Sequence, residues 1–172
     1  MELFETFDRN GRSLGLVPRS EVHARGLWHR SAQVFVFDRE GRLLMQQRSA
    51  HKDLYGDLWD YSVGEHLTPG ESFFDAACRG LREELSIVDV VPEPIGLNRW
   101  YEQRGENYHD AEIQQAFSVH YDGMVHPDLR EVQDYRWRTL DEVQDLMSHH
   151  AATLTPWFIN DVIELGILSR SI

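Results

Sequence analysis

Residues 31–48, SAQVFVFDREGRLLMQQR, constrain the fold more than any other stretch of the chain. SAQVFVFD alternates, DREGR has turn chemistry, and LLMQQR resumes an extended pattern, so the run predicts a β-hairpin. A second hairpin is predicted ahead of it, with LFETF and SLGLV flanking the turn DRNGR. LWDYSV reads as a short aromatic strand leading to Gly64. After the loop EHLTPGE, Ser72 is placed as an N-cap with Asp75 three residues on, and FFDAACRGLREELS has helical spacing. Further strands are expected over Ile95 to Tyr101, Glu112 to Tyr121 and Tyr135 to Arg138. Two helices then follow: LDEVQDLM after Thr139, and TPWFINDVIELGIL with Thr155 as N-cap and Pro156 at its first position. The order strands, helix, strands, helices, without repeat or linker, predicts one domain of α/β (α+β) class over residues 1–172. Apolar residues at 41% are enough for its core.

Charge narrows the partners. Lys and Arg number 17 against 29 for Asp and Glu, a formal net charge of −12. Such a field repels the backbone of a nucleic-acid polymer, while a few local cations can still hold a small anion. The single Cys78 cannot form an internal disulfide, and no signal-like start or apolar run near 20 residues is present. A cytoplasmic protein with no membrane partner is expected, its oligomeric state left open.

On a helix beginning at Ser72, positions 80, 83 and 84 share a face, so Glu83 and Glu84 project beside the small Gly80. Paired carboxylates can hold Mg²⁺ or Mn²⁺, which in turn grip diphosphate oxygens. Adjacent glutamates near a helix end are also common as solvated surface, and the pair alone does not choose. Arg79 comes within reach of Glu71 if the preceding loop folds back.

The set Glu71, Arg79, Leu81, Glu83, Glu84 and Ile87, at these spacings, resembles the Nudix box. The resemblance implies an α/β/α sandwich with a mixed central sheet and a loop-helix-loop motif that binds metal and diphosphate, with Glu71 and Arg79 as a structural ion pair. Three positions depart from the box: Glu65 stands where it starts with glycine, Gly80 where a glutamate follows the arginine, and Ser86 where a late glycine is usual. The glutamate missing at 80 is one that many Nudix hydrolases use as a metal ligand or base.

The resemblance extends to type I isopentenyl-diphosphate isomerases, a Nudix subgroup. His23 and His29 in HARGLWH, His66, and Asp110 with Glu112 in HDAEIQQAF match that subgroup's metal ligands, the first spacing being one residue shorter. Residues 110 and 112, two apart on a strand, point to the same side. Arg19, Arg48 and Lys52 match diphosphate-binding positions, and Trp157 matches a tryptophan whose π face steadies a carbocation. The subgroup's catalytic cysteine falls on Gly64. Taken alone, each of these residues is as readily surface or core.

Three activities are therefore expected, in this order. The first is a Mg²⁺- or Mn²⁺-dependent hydrolase of a small nucleoside or prenyl diphosphate, with Glu83, Glu84 and Glu112 as catalytic residues. The second is an isopentenyl-diphosphate isomerase with altered acid/base machinery, which Gly64→Cys should make more active. The third is a silent diphosphate binder.

Overall fold

The computed structural model describes residues 2–52, 54–105 and 108–170. In chain order its strands are Leu3–Phe7 (β1), Ser13–Pro18 (β2), His29–Phe37 (β3), Leu43–Arg48 (β4), Trp59–Asp60 (β5), Val63–His66 (β6), Glu93–Arg104 (β7), His109–His120 (β8) and Val132–Arg138 (β9). The α-helices are Arg19–Arg25 (α1), Phe73–Leu85 (α2), Leu140–His149 (α3) and Pro156–Glu164 (α4).

The first hairpin forms as expected, β1 with β2, in a small sheet of its own. The second holds only at its tip. Phe37 pairs with Leu43, after which β3 turns to β8 in parallel and to β6 antiparallel, while β4 pairs with β5 and β9. The cause lies in β3 itself, whose side chains are buried on both faces, a pattern that suits an interior strand better than half of a lone hairpin. The expected strand LWDYSV divides for the same reason into β5 and β6. Between them Ser62 spans the parting strands: its hydroxyl donates to the Leu44 carbonyl at 2.6 Å and accepts the Val36 N–H at 2.8 Å. Backbone groups that lose a ladder partner are thereby satisfied.

Successive residues of β3 feed two cores. Ala32, Val34 and Val36 pack with Ala76, Ala77, Leu81 and Leu85 of α2. Phe35 and Phe37 pack with Val143 of α3 and Phe158 and Val162 of α4. The mixed sheet thus lies between helices on either side, the α/β/α sandwich that the box resemblance implied. No helix among the described residues is long and apolar enough to cross a membrane.

The caps follow the sequence. Ser72 accepts the Asp75 N–H, Thr139 and Glu142 form a capping box, and Thr155 accepts the Phe158 N–H above Pro156. At the other end of α2, Ser86 adopts the left-handed region at φ 57°, which explains why glycine is usual there. Ser86→Gly is expected to raise stability by about 0.5–1 kcal/mol, measured by urea unfolding. Helix α1 has no counterpart in the sequence reading.

Candidate metal and diphosphate site

Four elements bring five ligand-type side chains together. His23 comes from α1, His29 from the start of β3, His66 from the end of β6, and Asp110 and Glu112 from β8. The register does the placing: His29 lies opposite Glu112 across β3 and β8, and His66 opposite Ser31 across β6 and β3. The ligand atoms of His23, His29 and His66 lie within 4.8 Å of one another, as do those of His29, Asp110 and Glu112. Phe4 of β1 covers the imidazoles, with ring centroids 5.2 Å from His29 and 4.7 Å from His66.

The donor set fits a cation. The Leu27 carbonyl lies 3.0 Å from His29 Nδ1, which assigns the ring proton there and leaves the Nε2 lone pair facing Asp110 Oδ1 and Glu112 Oε1, each at 3.8 Å. Buried His29 Nε2 and Asp110 Oδ1 have no hydrogen-bond partner among the described residues. Glu112 is fixed on its other side, with Oε2 accepting from Ser31 Oγ at 2.8 Å and Gln114 Nε2 at 2.7 Å, while Oε1 meets His66 Nε2 at 3.1 Å. Burial, then the charge of Glu112, pushes the Asp110 carboxyl up. Burial acts on Glu112 too, but the hydrogen bond and charge of His66 outweigh it and hold that carboxyl below its usual range.

Burial, then His66, lowers the His29 imidazole to about 4. Below 6.5 the unfolded chain binds a proton that the folded chain refuses, so stability falls as pH drops from 6.5 towards 4, by up to about 3 kcal/mol. His66, lowered chiefly by burial, acts in the same direction. Asp110 and Glu84, both pushed up, act in the opposite sense over this range, so the His29 contribution is read as a difference: in thermal melts in chelator, the change in Tm from pH 7 to pH 5 should be less favourable for the wild-type chain than for His29→Gln.

The acids of α2 separate from this cluster. Neither Glu83 nor Glu84 belongs to the groups whose ligand atoms converge. Glu83 has a side chain 53% exposed and pairs with Arg79 and Arg82, whereas Glu84 is 7% exposed and accepts from Gln46 Nε2 at 3.1 Å. The seven acids and histidines named from sequence as metal ligands thus lie in two groups, five and two. Burial, then Glu65, pushes Glu84 to about 8.

Arg79 and Glu71 meet as the spacing foretold. Arg79 donates from Nε and Nη2 to the two Glu71 oxygens, each at 2.9 Å, and from Nη2 to the His66 carbonyl at 2.8 Å. The same side chain therefore holds the loop onto α2 and fixes the end of β6.

Arg19, Arg48 and Lys52 line two adjoining cavities. The inner one, about 80 Å³, is walled by Leu54, Tyr61 and Trp157 and opens on His66, Asp110 and Glu112. The outer one, about 500 Å³, is bordered by the three cations with Arg79, Glu83 and Glu84. Each cation has an acidic neighbour: Arg19 with Glu2, Lys52 with Glu131, and Arg48 with Asp60 at 3.3 Å. Asp60, fully buried, also accepts from Trp157 Nε1 at 2.8 Å and Thr155 Oγ1 at 3.0 Å, and the Arg48 guanidinium lies 5.1 Å from the Trp157 ring centroid.

The model of the NUDIX domain matches residues 27–158, which include four of the five clustered residues, on β3, β6 and β8, and the whole loop-helix segment. The chain belongs to the NUDIX family. Curated relatives include an isopentenyl-diphosphate Delta-isomerase of Burkholderia multivorans, 34% identical over 88% of this chain and 85% of the relative. Another of that name, from Nocardia farcinica, is 34% identical over 94% and 93%. A crystal structure of a Deinococcus radiodurans protein shares the fold with a TM-score of 0.75 at 18% identity, covering 98% of this chain and 100% of that one.

Two departures from the NUDIX pattern now have structural explanations. A Cβ at Gly80 would stand 2.5 Å from Val63 Cγ1, 3.3 Å from Glu65 Cβ and 3.5 Å from Glu65 Oε2. Glu65, held by Arg79 Nη1 at 3.1 Å, thus brings a carboxylate from β6 over the helix position that lacks one. At Gly64 a Cβ would stand 2.6 Å from Tyr61 Cε2 and 3.2 Å from its hydroxyl oxygen. Gly64→Cys alone would therefore press on a buried ring, and the gain expected of it from sequence is withdrawn.

Sequence reasoning missed Phe4, Ser31, Gln114 and Tyr61. None carries a motif, and only the register beside Glu112 or the fold of β1 over the histidines shows what they touch.

Proposed function

We propose that this chain is a divalent-metal-dependent enzyme that shifts the double bond of a small alkenyl diphosphate, the reaction named for its isopentenyl-diphosphate Delta-isomerase relatives. The observation that carries this reading is the five-residue cluster opening onto a small, partly aromatic cavity whose rim is basic. At about 80 Å³ that cavity is far below the roughly 300 Å³ of a drug-sized pocket, and suits a short carbon skeleton better than a nucleoside.

His23, His29, His66, Asp110 and Glu112 are the proposed ligands; three imidazoles suit Mn²⁺, and Mg²⁺ suits the oxygen-rich vestibule at Glu83 and Glu84. An ion held by the cluster supplies Lewis acidity that fixes Glu112 and stabilises its negative charge. Arg19, Arg48 and Lys52 exchange their acidic neighbours for diphosphate oxygens. Glu112 moves a proton to or from carbon, its lone pairs aimed by Ser31, Gln114 and His66. The Trp157 face, with its N–H tied to Asp60, steadies positive charge on the carbon skeleton, and the close walls keep water from capturing it.

Hydrolysis of a diphosphate linkage, first in the sequence expectation, becomes the second reading. It is favoured by Glu65, Glu83 and Glu84 beside the larger vestibule, where a water has room to attack. Combined proton and phosphorus NMR in D₂O with Mn²⁺ or Mg²⁺, on isopentenyl diphosphate and a set of nucleoside diphosphates, separates the two. Dimethylallyl signals with deuterium uptake support isomerisation; released phosphate supports hydrolysis and overturns it.

A further inference from the structure

We propose that Tyr61 is a second catalytic residue of the inner cavity, its hydroxyl giving the proton that arrives at carbon while Glu112 takes the one that leaves. The inference rests on the isomerisation reading above. Moving a double bond needs two proton-handling groups at the carbon skeleton, and Glu112 is one.

Of the polar groups lining the cavity among the described residues, the unpartnered Asp110 Oδ1 and Arg19 Nε belong to the proposed metal and diphosphate ligands and Gln33 Oε1 to an amide with no transferable proton, while the others are engaged. Ser31 donates to Glu112, Gln33 donates to Ser31, the Trp157 N–H is bound by Asp60, and Glu65 is paired with Arg79. Tyr61 differs. It is 6% exposed, its backbone N–H is held by Asp60 at 2.9 Å, its ring packs edge-on to Phe35 at 5.7 Å, and its hydroxyl makes no hydrogen bond among the described residues. The side chain is buried, yet its hydroxyl oxygen is not one of the enclosed unpartnered atoms, so it is open to the cavity and to whatever enters it. Gly64 is the condition for it, since any side chain there would collide with the ring or crowd the hydroxyl. Burial keeps the phenol protonated, so its proton is there to give.

The step balances as follows. The alkene π pair takes a proton from the Tyr61 hydroxyl, making a new C–H bond and leaving positive charge on the adjacent carbon and negative charge on the Tyr61 oxygen. A C–H bond on the next carbon breaks and its electron pair becomes the new double bond. That proton goes to the Glu112 carboxylate, and water in the vestibule carries it from Glu112 back to the Tyr61 oxygen.

The test follows isopentenyl diphosphate turnover by proton NMR in D₂O, with the Mn²⁺-loaded full chain. Tyr61→Phe should keep the fold and KM while kcat falls about 100-fold or more. Tyr61→Ala should be as slow, and the double variant Tyr61→Ala with Gly64→Cys should recover at least about tenfold, because the thiol then occupies the space of the phenol. If the wild-type chain isomerises and Tyr61→Phe stays within threefold of it, the assignment of Tyr61 is wrong while the function stands. If the wild-type chain does not isomerise at all, both fall together.

Discussion

Glu112→Gln is expected to lower turnover about 1,000-fold without unfolding the protein. The side chain has two duties, one at each oxygen. Oε2 is anchored by Ser31 and Gln114, and Oε1 faces His66 and His29. An amide keeps the volume but can neither carry the negative charge that an ion and two imidazoles call for nor give and take a proton. On the Oε2 side its NH₂ group would also confront the Ser31 and Gln114 donors, and on the Oε1 side it would stand where the ion needs an oxygen ligand. Both kcat by NMR and Mn²⁺ affinity by calorimetry should fall. Activity retained within tenfold would move the chemistry away from β8, towards Glu83 and Glu84.

Arg79→Ala should have the largest effect on stability, a loss of about 3 kcal/mol in urea unfolding. The guanidinium satisfies both Glu71 oxygens, the His66 carbonyl and Glu65. Removing it leaves two partly buried carboxylates, Glu65 and Glu71, without their cation, and releases the end of β6 that carries His66 into the cluster. Metal affinity should therefore fall together with stability. Arg79→Lys should recover little, because one ammonium cannot make the forked contact with Glu71.

The parts legible in sequence are those with local causes. Caps at Ser72, Thr139 and Thr155 are set by the hydroxyl and the N–H three residues on, and all three form. Arg79 and Glu71 were found by spacing. The five clustered ligands were found only by resemblance, since nothing local tells that β6 and β8 flank β3 and bring His66 and Glu112 to one level. For the same reason the second hairpin was overextended: the turn at residues 38–42 is local, but the choice of β8 over β4 as partner of β3 is made by packing on both faces. Glu83 and Glu84 were given one face by helical period, yet a step of one residue turned one to solvent and the other to Gln46. Tyr61 could not have been singled out, because its role depends on the absence of a side chain at Gly64 across the cavity wall.

The central claim is that the ion sits on His23, His29, His66, Asp110 and Glu112. Pulsed EPR of the Mn²⁺-loaded protein tests it most directly. The account predicts nitrogen hyperfine couplings from directly bound imidazoles, diminished in His29→Gln and unchanged in Glu83→Gln. A spectrum without nitrogen coupling, altered instead by Glu83→Gln, would place the ion on α2 among oxygen ligands and contradict it.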